Sequence, residues 1–212
     1  HLSGNDSLLG NLKKLGFSPS DVTDVILTHL HFDHCGGAVA WNKDRTGFEV
    51  VFPNAIYWST ENHWKWATEP NPREKASFLT ENILPIQESG QLKFISREGD
   101  FMKNVFPNID MLFVDGHTES MMIPHIQYQE KTLVFMADLL PSVGHLPLPY
   151  VMGYDTRPLI TMGEKELFLN TAADKELYLF MEHDAVNEIC TVQHSDKGVR
   201  AKDIFTFNDL FN

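Results

Sequence analysis

Residues 28–37 read Thr-His-Leu-His-Phe-Asp-His-Cys-Gly-Gly, which sets three imidazoles and one carboxylate within six consecutive positions. In an extended segment residues i and i+2 point the same way, so His29 and His31 offer two imidazoles to one metal ion. If the chain then bends into a helix, Asp33 and His34 face a neighbouring position and serve a second ion. Imidazole and carboxylate so closely spaced at a strand end are ligands for divalent metals. A chance His-x-His-x-Asp-His in a chain of this length is expected roughly once in ten thousand sequences. Two ions a few Å apart lower the pKa of a shared water enough to supply hydroxide near neutral pH, so the chemistry indicated is metal-dependent hydrolysis.

Such a cluster needs rigid elements around it. Leu8, Leu9, Leu12 and Leu15 follow capping-type residues and precede Gly16, the spacing of a helix over residues 5–16. Residues 22–28 carry β-branched side chains and end where the ligands begin, which predicts a short buried strand running into the ligand loop. Gly36 and Gly37 are expected to turn the backbone sharply beneath the cluster. Downstream, residues 41–52 read as a surface hairpin or insertion, 55–58 as a strand, and 60–68 and 72–84 as helices. Strands are expected at 91–96, 110–114, 121–128 and 132–137, the last two joined by a tight turn. A Pro-rich loop to Tyr154, a helix over 160–173, a strand over 177–181 and a closing hairpin of 189–193 with 199–205 follow. The interleaving of strands and helices, without repeat or linker, indicates an α/β layered arrangement in a single domain over residues 1–212.

A chain of 212 residues with 42% hydrophobic side chains can bury a full core. Its net charge is −12 and no segment concentrates Lys or Arg, so nucleic acid is not expected as a partner. The longest apolar runs fall far short of the roughly 20 residues of a bilayer span, so no membrane partner is expected either. Two isolated cysteines, Cys35 and Cys190, build no disulfide framework and read as buried thiols.

The segment 28–37 resembles the signature of the metallo-β-lactamase superfamily, and the resemblance continues along the chain. That family's remaining ligands are matched by His117 in Gly-His-Thr at 116–118, Asp138 closing Met-Ala-Asp at 136–138, and His183 in Glu-His-Asp at 182–184. Each follows an expected strand. The resemblance implies an αββα sandwich with two divalent ions, zinc first, although manganese, iron or cobalt also suit such ligands. It implies that His29, His31 and His117 hold one ion, Asp33, His34 and His183 the other, and that Asp138 bridges both. Asp138 would orient the attacking water and shuttle a proton, with Asp33 the second carboxylate of the chemistry.

Within the family the chain looks most like lactonases and organophosphate hydrolases. Asp138 stands where antibiotic-cleaving members place Cys, and the short span from Asp138 to His183 has no room for a nucleic-acid-cleaving insert. One departure is Pro141, which occupies the position of a substrate-assisting Tyr in one type of quorum-quenching lactonase; His145, Tyr150 and Tyr154 are the substitutes expected to meet substrate. Aromatics such as Phe32, Trp41, Trp58, Trp64 and Trp66 flank the site, which favours a small neutral or apolar lactone, ester or phosphotriester. The alternatives are a mononuclear-iron oxidoreductase of the persulfide dioxygenase type and a glyoxalase II-like thioester hydrolase. His1, His63, His125 and His194 have no partner at useful spacing and are read as structural. Family members place several strands before the first His motif, whereas 28 residues precede His29 here. The N-terminal strands of the first sheet are therefore expected to be missing, with the open edge covered by a homodimer or a separate N-terminal fragment. A leader would lie upstream of His1, so localisation is left open.

Overall fold

A computed structural model of the chain describes residues 7–211. The chain divides into two compact units, His1–Ser96 and Arg97–Asn212. In the first, Ser7 caps α1 (Leu8–Lys14) by accepting a hydrogen bond from the Gly10 N–H at 3.0 Å. The chain continues through β1 (Asp24–Ile26), α2 (Phe32–Cys35), the hairpin of β2 (Val39–Trp41) and β3 (Phe48–Val50), and β4 (Ile56–Ser59). It closes with α3 (Glu61–Thr68), α4 (Thr80–Glu88) and β5 (Leu92–Phe94). β1, β4 and β5 form a parallel sheet in that order, with Asp24 opposite Ile56 and Tyr57 opposite Leu92. Leu30, Tyr57, Ile83 and Ile86 lie at the centre of this unit's own core.

The second unit is a seven-stranded sheet, ordered β12-β11-β10-β9-β8-β7-β6. Its strands are β6 (Phe101–Phe106), β7 (Ile109–Val114), β8 (Met121–Tyr128), β9 (Lys131–Phe135), β10 (Tyr178–Phe180), β11 (Ile189–Gln193) and β12 (Arg200–Phe205). All pairs are antiparallel except β9 with β10, and a parallel step needs a long crossover. α5 (Pro158–Asp174) supplies it, and a short α6 (Phe207–Phe211) follows the last strand. Gln129 and Glu130, at φ of 46° and 62°, make the two-residue turn between β8 and β9 that matches strand twist. Val114, Ile123, Val134, Leu169, Leu179 and Cys190 belong to this unit's core. Among the described residues no helix is long and apolar enough to cross a membrane.

Several expectations change in detail. The helix expected at 72–84 begins only at Thr80, because Asn71 and Glu74 organise the preceding residues into a turn. β6 and α6 carry no clear sequence signal: Lys103 and Asn104 break the alternation of the first, and the second spans only five residues. Gly36 keeps an ordinary right-handed φ of −60°; its role is spatial, since a Cβ there would lie 3.2 Å from the Asn82 amide nitrogen. Cys35 and Cys190 are buried free thiols, and burial pushes both up to about 12. His1 lies outside the described residues.

Candidate functional site

In the first unit the ligand loop grows directly out of β1: the Leu27 N–H still bonds the Trp58 carbonyl at 3.0 Å, and buried Thr28 and His29 follow. Leu30 turns inward and is fully buried, which leaves His29 and His31 to project together, with one ring nitrogen of each within 4.8 Å. Their ring centroids are 4.7 Å apart, and those of His29 and His34 are 3.9 Å apart. α2 then begins, so Asp33 and His34 lie on a helical turn, with Asp33 Oδ2 3.6 Å from His34 Nε2.

A second layer of side chains holds this loop. His63, anchored through its own N–H on Thr60 at the start of α3, accepts the Leu30 N–H on Nε2 at 2.8 Å. Glu74, only 2% exposed, places Oε1 3.3 Å from His31 Nε2 while its other oxygen accepts from Trp66 Nε1 at 2.6 Å and from the Asn71 amide. A carboxylate on Nε2 selects the tautomer whose lone pair sits on Nδ1, which is how metal-ligating imidazoles are oriented.

In the second unit three side chains meet from loops at the ends of β7, β9 and β10. Asp138 lies between two imidazoles, with Oδ2 3.0 Å from His117 Nε2 and Oδ1 3.2 Å from His183 Nε2. Two ligands each about 2.0–2.1 Å from a tetrahedral ion stand roughly 3.3 Å apart, so these spacings suit coordination as well as ion pairing. Ala137, held at the left-handed φ of 40°, aims Asp138 from the end of β9. The His183 N–H bonds the Pro141 carbonyl at 3.1 Å, and Asp184 accepts the Val143 N–H at 3.0 Å, which stitches the Asp138 and His183 loops together. Slight burial opposes ionisation of Asp184, but N–H groups of Asn187, Val186 and Val143 hold its carboxyl down at about 2.

His117 has a second carboxylate on its other nitrogen: Nδ1 lies 2.9 Å from Asp155, itself 2% exposed. Burial disfavours the protonated ring, but Asp138 and Asp155 outweigh it and hold the imidazole up at about 9. A divalent cation bound there satisfies the same carboxylates in place of that proton. The α5 end fixes this arrangement, since Thr156 and Arg157 N–H groups bond the His117 and Gly116 carbonyls at 3.1 and 2.8 Å. A Cβ at Gly116 would overlap the Thr161 backbone, so this close approach requires glycine.

The structure therefore gathers His29, His31, Asp33 and His34 in one unit and His117, Asp138 and His183 in the other. His145 is half-buried with Nδ1 2.8 Å from Ser142 Oγ, and burial and Lys165 push its pKa down. Tyr150 and Tyr154 expose 60% and 77% of their surface, so neither is packed in the core. Of the remaining histidines, His63 supports the ligand loop, His125 is buried on β8, and His194 pairs with Asp174 at 2.8 Å on the surface. Asp155, Glu74 and Lys165 escape sequence reasoning. Lys165, 1% exposed on α5, donates to the carbonyls of His145 and Tyr150 at 2.7 Å each and to that of Pro147 at 3.2 Å, so one ammonium shapes the loop after Asp138. No local spacing announces these three, because each meets its partner only through the fold.

Known proteins share this arrangement of sequence and fold. The N-acyl homoserine lactonase of Bacillus thuringiensis is 23% identical over 195 residues, covering 88% of this chain and 66% of that protein. A probable metal-dependent hydrolase from Staphylococcus aureus superposes with a TM-score of 0.81 at 25% identity, over 96% of this chain and 69% of its own. AidC, a dizinc quorum-quenching lactonase in complex with a product, superposes with a TM-score of 0.78 at 24% identity, over 96% and 72%. The match spans 45% of the Bacillus cereus lactonase and 66% of the Bacillus thuringiensis one, under two thirds of either protein. The relatives include lactonases and a probable metal-dependent hydrolase, and this chain has buried histidines and an aspartate of the kind that hold metal ions. The model of the metallo-beta-lactamase superfamily matches residues 2–183, and this chain belongs to that superfamily.

Proposed function

We propose that the chain is a dinuclear metal-dependent hydrolase. The reading rests above all on Asp138, whose two oxygens each meet a different imidazole, the disposition of a carboxylate shared between two ions. His29, His31 and His117 would hold one ion and Asp33, His34 and His183 the other. Zinc is the first expectation, and AidC is described as a dizinc lactonase. Two such ions supply an activated water and a Lewis acid for a carbonyl or phosphoryl oxygen.

The protein's own part is positioning and proton handling. Asp155 and Glu74 orient His117 and His31 through their remote nitrogens. Asp138 directs the attacking water and takes its proton, passing it to the leaving oxygen. His145, Tyr150 and Tyr154 offer hydrogen bonds to the substrate from the loop that Lys165 holds, in place of the tyrosine that Pro141 displaces. The favoured substrate is a small neutral lactone with an apolar substituent, with esters and phosphotriesters next. The related lactonases are named for N-acyl homoserine lactones.

The test combines metal analysis with a panel of lactones, aryl esters and phosphotriesters. Two ions per chain and lactone opening without oxygen uptake are expected. One iron per chain with oxygen consumption overturns the proposal. In the same assay Tyr150→Phe, Tyr154→Phe and His145→Ala should each lower turnover several-fold with metal content intact.

A further inference from the structure

A hollow of about 470 Å³ lies in the second unit, away from the ligand side chains: none of His117, Asp138, Asp155 and His183 lines it. One wall is the face of β6, β7 and β8 that carries Phe101, Leu112 and His125, residues brought side by side by the register. The other is α5, where Glu164, Leu167, Phe168 and Thr171 fall on one helical face, with Lys175 at its C-cap. The volume is that of a small-molecule site.

Two features give the hollow a chemistry. His125, 6% exposed, donates Nδ1–H to the Ile123 carbonyl at 3.0 Å and stands edge-on between Phe101 and Phe168, at centroid distances of 5.3 and 6.0 Å. Burial pushes its pKa down, so the ring is neutral and Nε2 is an acceptor to which no described group donates. The second feature is charge. Arg97 is committed to Asp100 and Asp115 at 2.8 Å, Glu164 accepts the Asp115 and Gly116 N–H groups, and Asp110 accepts that of Asn104. Among the described residues Lys103 and Lys175 line the same hollow without an ion-pair partner, in a chain of net charge −12.

We propose that this hollow binds a small amphipathic acid: its apolar chain on Phe101, Leu112 and Phe168, an N–H or O–H donating to His125 Nε2, and its carboxylate on Lys103 and Lys175. The inference stands apart from the hydrolytic reading, since it uses none of that site's residues.

Isothermal titration of the full chain with N-dodecanoylglycine tests it. One molecule per chain is expected to bind. N-dodecanoylsarcosine, which has no amide N–H, and the methyl ester, which has no carboxylate, should each bind about tenfold more weakly, as one lost hydrogen bond or charge contact implies. His125→Leu should erase the preference over the sarcosine compound alone, and Lys103→Gln with Lys175→Gln the preference over the ester alone. The lysine variants change exposed positions and keep the test decisive if His125→Leu does not fold. Absence of binding, or unchanged preferences in the lysine variants, overturns the proposal. So does binding that is lost in Asp138→Ala and kept in the lysine variants, which assigns the ligand to the metal site.

Discussion

The two ligand-bearing regions hold their imidazoles by opposite electrostatic means. Around His29, His31 and His34 the support is mixed: a backbone N–H on His63, a helical turn that sets exposed Asp33 3.6 Å from His34, and one buried carboxylate, Glu74, already shared with Trp66 and Asn71. Around His117 two buried carboxylates, Asp138 and Asp155, press on one ring. The first region is a shaped cradle that keeps its form with little stored charge. The second is a concentration of negative charge that demands either a proton or a cation. Shape therefore governs one half and charge the other, and substitutions should separate them.

The largest separation is expected at Asp138. Asp138→Ala removes the carboxylate that meets two imidazoles, so metal content should fall by more than one ion per chain and lactone kcat/KM by on the order of 10³ or more. Asp33→Ala, which removes the carboxylate beside His34, should retain one ion. Equal metal content in the two variants would break the distinction between them. Next come the two orienting carboxylates. Asp155→Asn keeps the shape but removes charge from the charged half and should weaken metal binding about 10–100-fold. Glu74→Gln keeps one accepting oxygen of two in the shaped half and should cost roughly tenfold or less. Metal titration of both variants orders them, and the reverse order would mean that shape and charge have been assigned to the wrong halves.

The same contrast explains what can be read from the sequence. His29, His31, Asp33 and His34 are legible because a strand end and a single helical turn, β1 into α2, set their geometry within a few residues. His117, Asp138 and His183 each follow a strand, but no spacing relates them; only family resemblance picks them out, and only the β9-to-β10 crossover by α5 brings their loops together. Asp155 and Glu74 are invisible for the further reason that a carboxylate in a loop has no pattern until its partner is known. Strands with strict pairing, such as β8 and β11, are legible to the residue. The helix expected at 72–84 is shortened because Glu74 is drawn to His31 and Trp66, a tertiary demand that local propensity does not contain. The two-unit division, marked by separate cores, leaves no composition change at Ser96 to announce it.

The remaining effect concerns the metal-free protein and isolates the charged half alone. His117 has a native pKa of about 9 against an ordinary value near 6.5. A raised pKa means that the folded state binds the proton more tightly than the unfolded chain does. Its stabilisation is therefore complete below about pH 6.5 and is lost as pH rises through 9, a change of about 3 kcal/mol. Lys165 titrates over part of this range with the opposite sign: burial pushes it down to about 8, so the fold gains as pH rises from there toward the ordinary lysine value. The raw pH profile thus mixes two opposing slopes, and the difference between wild type and His117→Gln is the informative quantity. In chelator-treated protein that difference, read by urea unfolding, should shrink steadily from pH 6.5 to pH 9. Asp155→Asn should reduce the shrinkage, since one of the two carboxylates that retain the proton is gone. A difference independent of pH would show that the His117 ring sits neutral between its two aspartates, and the charged half would then be held by shape like its counterpart.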